Sequence, residues 1–466
     1  MKKNRFYTYI LAAALTFSMG ACNDRLDLKP YSSLPPSEAL KTVDDAGIAV
    51  LGIYERLQEL NYYGRDFMVV NEVCGDDMLI TAANSNRFLS EFQYQFGPTL
   101  SAQLGFWLSA YRAIYAANNV ITKTPQTTDY DALRGEAYFL RALAHFDLAR
   151  RYCRPYTNVA TKPNDANSGI PVVVTPFDDP VAFKPKRNTL EETFTQIIAD
   201  LKLAQTLAPA SNGIIRAGKD AATALLVRAY VHKGDWANAI TEADKIASKY
   251  SLWQPTAVVA AFTADLSSEE IFTLKFVSPE ALGADNWGRI YLPNPTGYGD
   301  VRPSSTWSAL LETGDVRAGQ VIVRSGQNYL NKFPGNTAEG QVGMTSVKIL
   351  RVSEVILNRA EAYAETGNLA RALTDVNALR ARRGLAASTA ATIDDVKKEI
   401  SKQRRLEFIG EGFRTNDMFR KNENRTVTDN NALSKVNVAA DNFRVAFPIP
   451  IQEIDANPNI VQNPGY

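Results

Sequence analysis

Ala224-Leu-Leu-Val-Arg-Ala-Tyr230-Val-His-Lys-Gly234-Asp-Trp236-Ala-Asn-Ala239-Ile240-Thr-Glu-Ala-Asp-Lys-Ile246-Ala-Ser248 is the stretch on which the reading of this chain turns. Apolar residues recur at helical spacing over 224–233, break at Gly234-Asp235, and resume over 236–248. The pattern predicts two helices joined by a tight turn. The same frame returns further along: Ala229-Tyr230, Gly234, Ala239, Ile240 and Ile246 reappear in register as Ala362-Tyr363, Gly367, Ala372, Leu373 and Leu379. The second copy predicts helices over 352–366 and 369–382. In both, small alanines let the paired helices approach closely, and a glycine supplies the turn. One such match arises easily by chance, whereas two in one register mark a structural repeat.

The shared pattern, Tyr-x-x-x-Gly-[Asp/Asn]-[aromatic/Leu]-x-x-Ala, is that of tetratricopeptide helix pairs. Outward from the repeats, Trp107, Ala110, Tyr111, Ile114 and Ile121 share one helical face. So do Leu133, Ala137, Leu140, Ala144 and Leu148, and again Leu190, Phe194, Ile197, Leu201, Ala204 and Ala208. Asn188 or Thr189, followed by Glu191 and Glu192, is an N-terminal helix signal. Strand candidates are few: Ile170–Val174, Ile271–Phe276 and Arg444–Ile449. The fold class is therefore mostly α, with tetratricopeptide-like helix pairs, a few short strands and one irregular, loop-rich part. That part is 277–345, rich in Gly, Pro, Asn, Ser and Thr yet carrying Trp287, Tyr291, Tyr298, Trp307, Tyr329 and Phe333. Its aromatic content argues for an ordered, functional insert. One body is expected over 38–466, divided into an N-terminal helical part (38–276), this insert, and a C-terminal helical part (346–466).

The start of the chain reads separately. Lys2, Lys3 and Arg5 precede an apolar run from Tyr9 to Met19, then Met19-Gly20-Ala21-Cys22. This is a secretory signal over 1–21 whose small residues precede a lipobox-like cysteine. Cys22 is the expected lipidation site, and 22–37 the tether. No later stretch reaches the roughly 18 apolar residues that cross a membrane. With Cys22 acylated, Cys74 and Cys153 remain, as a disulfide or as two buried thiols. The 466 residues are 45% hydrophobic and 22% charged, the composition of a globular protein. Lys+Arg 51 against Asp+Glu 50 gives no basic excess of the kind that nucleic-acid binding needs.

Catalytic chemistry finds no foothold. The two histidines, His145 and His232, sit in helical runs among apolar neighbours, and both His-Glu-x-x-His and Gly-x-Ser-x-Gly are absent. Gly213-Ile-Ile-Arg-Ala-Gly-Lys219-Asp220 imitates a phosphate loop, but Asp replaces the Ser/Thr, and a helix precedes it. Asp165, Asn167 and Gly169 imitate part of a calcium loop without its other ligands. Neither a cofactor nor a metal is expected, and the chain reads as a binding protein rather than an enzyme. Binding chemistry is visible in the loops, where aromatic faces can stack on sugar rings or hold peptide side chains and nearby amides and guanidinium groups can orient polar groups. Trp287 is the expected stacking platform, flanked by Tyr291 and Tyr298. Asn286, Asn84 and Arg87 are the expected polar orienters.

Longer stretches resemble a known family. Cys22-Asn-Asp-Arg-Leu-Asp-Leu-Lys-Pro30, Ala132-Leu-Arg-Gly-Glu-Ala-Tyr-Phe-Leu-Arg-Ala142, Leu350-Arg-Val-Ser-Glu-Val-Ile-Leu-Asn-Arg-Ala-Glu-Ala-Tyr363, Val376-Asn-Ala-Leu-Arg-Ala-Arg-Arg-Gly384 and Arg404-Arg-Leu-Glu-Phe-Ile-Gly-Glu-Gly-Phe-Arg414 are similar to SusD/RagB nutrient-binding lipoproteins. So is the ending Phe447-Pro-Ile-Pro-Ile-Gln-Glu-Ile454 with Asn457-Pro-Asn-Ile-Val-Gln-Asn-Pro-Gly-Tyr466. The resemblance implies a lipid-anchored protein on the outer face of a Bacteroidetes-type outer membrane, with Asp24 and Asp27 similar to the family's surface-export signal. It implies a partner, a SusC-like TonB-dependent transporter, on which the lipoprotein acts as a hinged lid. It also implies an oligosaccharide ligand, with an oligopeptide of the RagB type or a ligand-free interaction scaffold as alternatives. The motif residues Arg351, Glu354, Glu361, Arg404, Glu407, Arg414 and Asp417 read as structural ion pairs. If Cys22 carries the lipid, Cys22→Ala should move the protein from the membrane to the soluble fraction with an unchanged circular dichroism spectrum. Retention in the membrane fraction would remove the lipobox reading.

Overall fold

The computed structural model describes residues 40–466, apart from 178, 180, 266 and the side chains of 101 and 102. The signal segment, Cys22 and the tether lie outside the described residues. Among the described residues, fourteen α-helices and six short strands follow one another, with 3₁₀ and π turns between them. The helices are α1 (Val43–Gln58), α2 (Asp66–Val73), α3 (Leu89–Phe92), α4 (Ser101–Lys123), α5 (Asp131–Tyr152), α6 (Leu190–Leu207), α7 (Lys219–Lys233), α8 (Trp236–Asp244), α9 (Ser305–Ser308), α10 (Val352–Glu365), α11 (Leu369–Arg382), α12 (Ile393–Phe408), α13 (Arg414–Arg420) and α14 (Ile451–Ala456). The strands are β1 (Met78–Ile80), β2 (Glu270–Leu274), β3 (Val301–Pro303), β4 (Val321–Arg324), β5 (Gln327–Leu330) and β6 (Val347–Arg351).

The helix starts are written in the sequence. Thr42 with Asp45, and Thr189 with Glu192, form reciprocal capping boxes at α1 and α6, which settles the choice between Asn188 and Thr189. In both repeats the turn glycine takes the left-handed conformation, φ +75° at Gly234 and +80° at Gly367. The next residue then caps the second helix: Asp235 accepts from the Asn238 amide, and Asn368 from that of Arg371. The first repeat's second helix is shorter than expected, since it ends at Asp244 and continues as turns. The repeats pack on each other. Ile240 of α8 lies against a cluster of Ala360, Tyr363, Ala364, Ala372 and Val376, closed by Val396 and Ile400 of α12. Helix α5 is buried around almost its whole circumference. At Gly135 a Cβ would stand 2.3 Å from the Ala208 amide nitrogen, so only glycine lets the end of α6 cross there.

Three antiparallel two-stranded sheets decorate this body: β1 with β3, β2 with β6, and β4 with β5. Of the strand expectations, Ile271–Phe276 corresponds to β2, while the other two are corrected. Ile170–Val174 is extended but satisfies its backbone on helix side chains. The Val173 amide donates to His145 Nε2 (3.3 Å), and its carbonyl accepts from Asn118 Nδ2 (3.1 Å). The Arg444–Ile449 stretch begins inside a short 3₁₀ turn. Beyond that turn, the Phe447 amide donates to the Arg151 carbonyl, and Gln462 bonds both the amide and the carbonyl of Ile449. Apolar alternation signalled burial in both cases, but the partners are helices and an amide side chain rather than strands. The main apolar cluster runs from Val50 to Ile460, drawing on the helices, the strands and the insert. Cys74 and Cys153 are separate buried thiols, each pushed up to about 12 by desolvation and therefore unreactive.

Through the C-terminal half of this core runs a charged seam. Arg351, at the end of β6, bonds Glu269 (3.0 Å), Glu407 (3.0 Å) and Glu411 (2.7 Å). Arg383 bridges Glu269 and Glu407 (2.7 and 2.8 Å), and Arg317 joins Asp315 to Glu407 and Gln403. Nearby, Arg228 of α7 grips Glu354 of α10 in a bidentate pair, Arg404 grips Asp417, and Arg420 holds both Glu361 and Asp417. The motif residues Arg351, Glu354, Glu361, Arg404, Glu407 and Asp417 are thus buried ion-pair partners, and Arg414 pairs with Asp76 across the body (2.6 Å). Burial alone would raise the Glu361 carboxyl, but Arg420, Lys421 and Arg404 lower it to about 2. A carboxylate depressed from its usual 4.5 contributes stability that is complete above pH 4.5 and is lost as pH falls through about 2. Glu361→Gln should therefore cost about 3–5 kcal/mol in urea unfolding at pH 7, because it leaves Arg420 and Lys421 under-compensated. The gap to wild type should narrow as pH drops below 4.5. A cost independent of pH would show that the pair is not what holds this seam.

Candidate functional site

Strands β1 and β3 bring the two sequence-predicted loops together, with Met78 opposite Pro303 and Ile80 opposite Val301. The 81–88 turn leaves the end of β1, and 298–300 leads into β3. At this seam Asp300, only 1% exposed, accepts from the Ser85 amide (2.9 Å) and from the Ser85 hydroxyl. The Ser85 Oγ in turn accepts from Arg87 Nη1 (2.7 Å), and the Arg87 guanidinium lies 4.0 Å from the centroid of the Tyr298 ring. Asn84 shapes the turn: its Oδ1 accepts from the Asn86 amide (2.8 Å), and its Nδ2 donates to the Thr81 carbonyl (2.6 Å). Asn86 and Phe88 take positive φ, +64° and +60°, the kind of backbone strain that clusters at binding sites. Beside them Arg65 pairs with Asp66 and Asp285 and lies 5.5 Å from the centroid of Phe88.

Asn84, Arg87 and Tyr298 are therefore brought together at a partly exposed surface. The other three expected site residues are not with them. Trp287 is 4% exposed, tilted at 41° against Phe333 with centroids 4.0 Å apart, and its Nε1 donates to the Thr345 carbonyl (2.9 Å). A ring covered on this scale has no free face for a ligand, so its role as a stacking platform is corrected to that of an anchor. Tyr291 is fully buried beside Trp287 and Phe333, with its phenol pushed well above its usual range by desolvation. Asn286 is 3% exposed, accepting from the Leu282 amide (2.9 Å) and donating to the Val342 carbonyl (3.0 Å). Trp287 and Asn286 bond within the insert, and the Tyr291 hydroxyl reaches out of it to the Gly410 carbonyl (3.5 Å). At Gly288 an added Cβ would stand 2.2 Å from the Phe333 carbonyl oxygen, so the insert packs without slack.

The sequence reading missed three partners. Ser85 and Asp300 complete the hydrogen-bonded chain to Arg87. Tyr329 of β5 stands so close to Gly299 that a Cβ there would come within 2.5 Å of its ring, and the Arg302 guanidinium lies 4.5 Å from its centroid. Tyr329 was visible among the insert's aromatics, but only the β4–β5 hairpin places it beside Gly299. The ensemble offers two part-exposed tyrosines, a fixed guanidinium with further N–H donors, and amide and hydroxyl groups. It suits a neutral, hydroxyl-rich ligand with apolar ring faces. His145 and His232 lie away from it in the helical core, His145 lowered to about 3 by burial.

Comparison with known proteins places this architecture. The family model described as SusD family matches residues 316–466, and that described as starch-binding associating with outer membrane matches 24–231. The chain belongs to the SusD/RagB family. The insert's 277–303 loop falls between the two matched stretches. SusD-like protein P38 of Formosa agariphila is 22% identical over all of this chain and 99% of its own length. A SusD superfamily protein from Bacteroides thetaiotaomicron superposes with a TM-score of 0.83 at 27% identity, over 91% of this chain and 100% of that one. A SusD-like carbohydrate binding protein from Bacteroides vulgatus shares the fold at a TM-score of 0.79 and 21% identity, over 90% of this chain and 98% of that one.

If Trp287 anchors the insert, Trp287→Ala should lower unfolding stability by about 3–5 kcal/mol, as emptying an aromatic core position does. Trp287→Phe, which keeps most of the packing but loses the Nε1 bond, should cost nearer 1 kcal/mol. Equal stability of all three proteins would return Trp287 to the surface.

Proposed function

We propose that this protein captures an oligosaccharide at the cell surface through the Asn84–Arg87–Tyr298 seam and passes it to a SusC-like TonB-dependent transporter. The observation that carries the reading is the Asp300–Ser85–Arg87 chain, which holds a guanidinium against a half-buried tyrosine where two loops meet. A stacking ring beside fixed donors is the chemistry that binds a sugar's C–H face and orients its hydroxyls. Two further findings support the glycan over the peptide: the family description as starch-binding, and the carbohydrate-binding name of a structural neighbour. The description as associating with outer membrane supports the location, with Cys22 as the lipid anchor. In this reading the body carries a preformed surface site, the tether keeps it at the membrane, and the transporter takes over the bound glycan.

The test is calorimetric titration with a panel of maltoheptaose, laminarihexaose and cellohexaose. One member should bind wild type saturably. Tyr298→Ala and Arg87→Ala should each weaken that binding roughly tenfold to hundredfold, the loss of about 1–3 kcal/mol expected for a contact residue in a small site. Unchanged affinity in both folded variants would move the site elsewhere.

A further inference from the structure

A second feature shares no residue with the loop seam. Between α4, residues 171–177 and 183–185, and α14 lies a cleft of about 260 Å³. Its walls are aromatic. Tyr115, 36% exposed, tilts onto Phe177 (4.8 Å, 48°), and Phe177 stacks on Phe183 (4.5 Å, 9°). One and two turns back along the same face of α4, Tyr111 leans on Trp107 (4.8 Å, 48°).

The polar groups of this cleft are mostly committed. The Tyr111 hydroxyl donates to the Pro171 carbonyl (2.8 Å), Lys184 Nζ to that of Ala456 (2.6 Å), and Asn457 Nδ2 to that of Pro185 (2.8 Å). Glu453 is the exception. Its carboxylate lines the cleft beside Trp107 and Lys184. A carboxylate can accept about four hydrogen bonds, so Glu453 has acceptor capacity left for a ligand. Aromatic walls with a few convergent polar groups are the usual make-up of a small-molecule site. The volume exceeds the roughly 150 Å³ that holds one benzene ring, and leaves room for one ring and its substituents.

We infer that this cleft is a second sugar site, taking the terminal pyranose of a glycan against the wall formed by Tyr115, Phe177 and Phe183, with Glu453 accepting from adjacent hydroxyls. A single carboxylate receives two neighbouring hydroxyls in a bidentate pair, while the ring's C–H face covers the aromatic wall. Such a site would hold one end of a chain whose other residues engage the seam, or a separate chain altogether. The inference stands on this cleft's own geometry and does not require the loop reading to hold.

The experiment is saturation-transfer NMR with methyl β-D-glucopyranoside, methyl β-D-galactopyranoside, methyl α-D-mannopyranoside and, as an apolar control, phenol. It uses the mature protein carrying Arg87→Ala and Tyr298→Ala, so that the seam is disabled. At least one glycoside should bind saturably, with Trp107 fluorescence shifting in parallel. Adding Tyr115→Ala, an exposed position that should not disturb folding, should weaken binding at least tenfold. Adding Glu453→Gln should weaken the glycoside but spare phenol. Phenol binding without glycoside binding, no saturable binding at all, or glycoside binding indifferent to both added variants would each overturn the proposal. None of these results would touch the seam, whose test uses oligosaccharides on the unmutated protein.

Discussion

Everything in this molecule hangs on buried guanidinium groups. Arg351 leaves β6 to meet Glu269, Glu407 and Glu411, which come from the start of β2, from the end of α12 and from the loop beyond it. Arg383 and Arg317 converge on the same Glu407 from α11 and from the insert. A buried charge without its partner costs several kcal/mol, so these pairs act as a registration device: only one arrangement of repeat, insert and C-terminal helices satisfies them all. Burial works to raise the Glu407 carboxyl, but the three guanidinium groups hold it well below its usual range. The charge stays on the carboxylate, and the seam stays closed.

That registration sets where the loops fall. Lys332, fully enclosed, donates to Glu411 and to the Glu407 carbonyl, joining the insert to the same charged cluster. Next to Lys332 in sequence, Phe333 packs against Trp287, and Trp287 with Tyr291 fixes the stretch that rises to Tyr298 and Asp300. The surface site is therefore placed by a buried one. The aromatics nearest the body serve as anchors, and the one that reaches the surface, Tyr298, meets the Arg87 turn. Preorganised loops of this kind bind at lower entropic cost than loops that must order themselves around the ligand.

Much of this was legible in the residues. The helix pairs, their glycine turns and the long helices follow from periodicity and caps, because those signals are local. The ion-pair role of Arg351, Glu407 and their neighbours was also legible, from a resemblance rather than from spacing. The site was only half legible, for a physical reason. A tryptophan in a polar loop looks the same in sequence whether its ring faces solvent or a distant Phe333. Its indole partner, the Thr345 carbonyl, lies 58 positions away. The bond between Asp300 and Ser85 was invisible because the β1–β3 pairing that joins them is a three-residue ladder with no periodic signature. The strands expected at Ile170–Val174 and Arg444–Ile449 failed likewise: alternation reports burial and does not say what supplies the hydrogen bonds.

The central claim is that ligand engages a preformed surface seam held in place by the buried network. Hydrogen-exchange mass spectrometry of the mature protein with and without the binding oligosaccharide tests it most directly. The account predicts slower exchange confined to peptides covering 81–92 and 296–303, with β6, α10 and α12 already protected and unchanged. Protection that appears mainly in β6, α10 or α12, or none at the seam under saturating ligand, would contradict it.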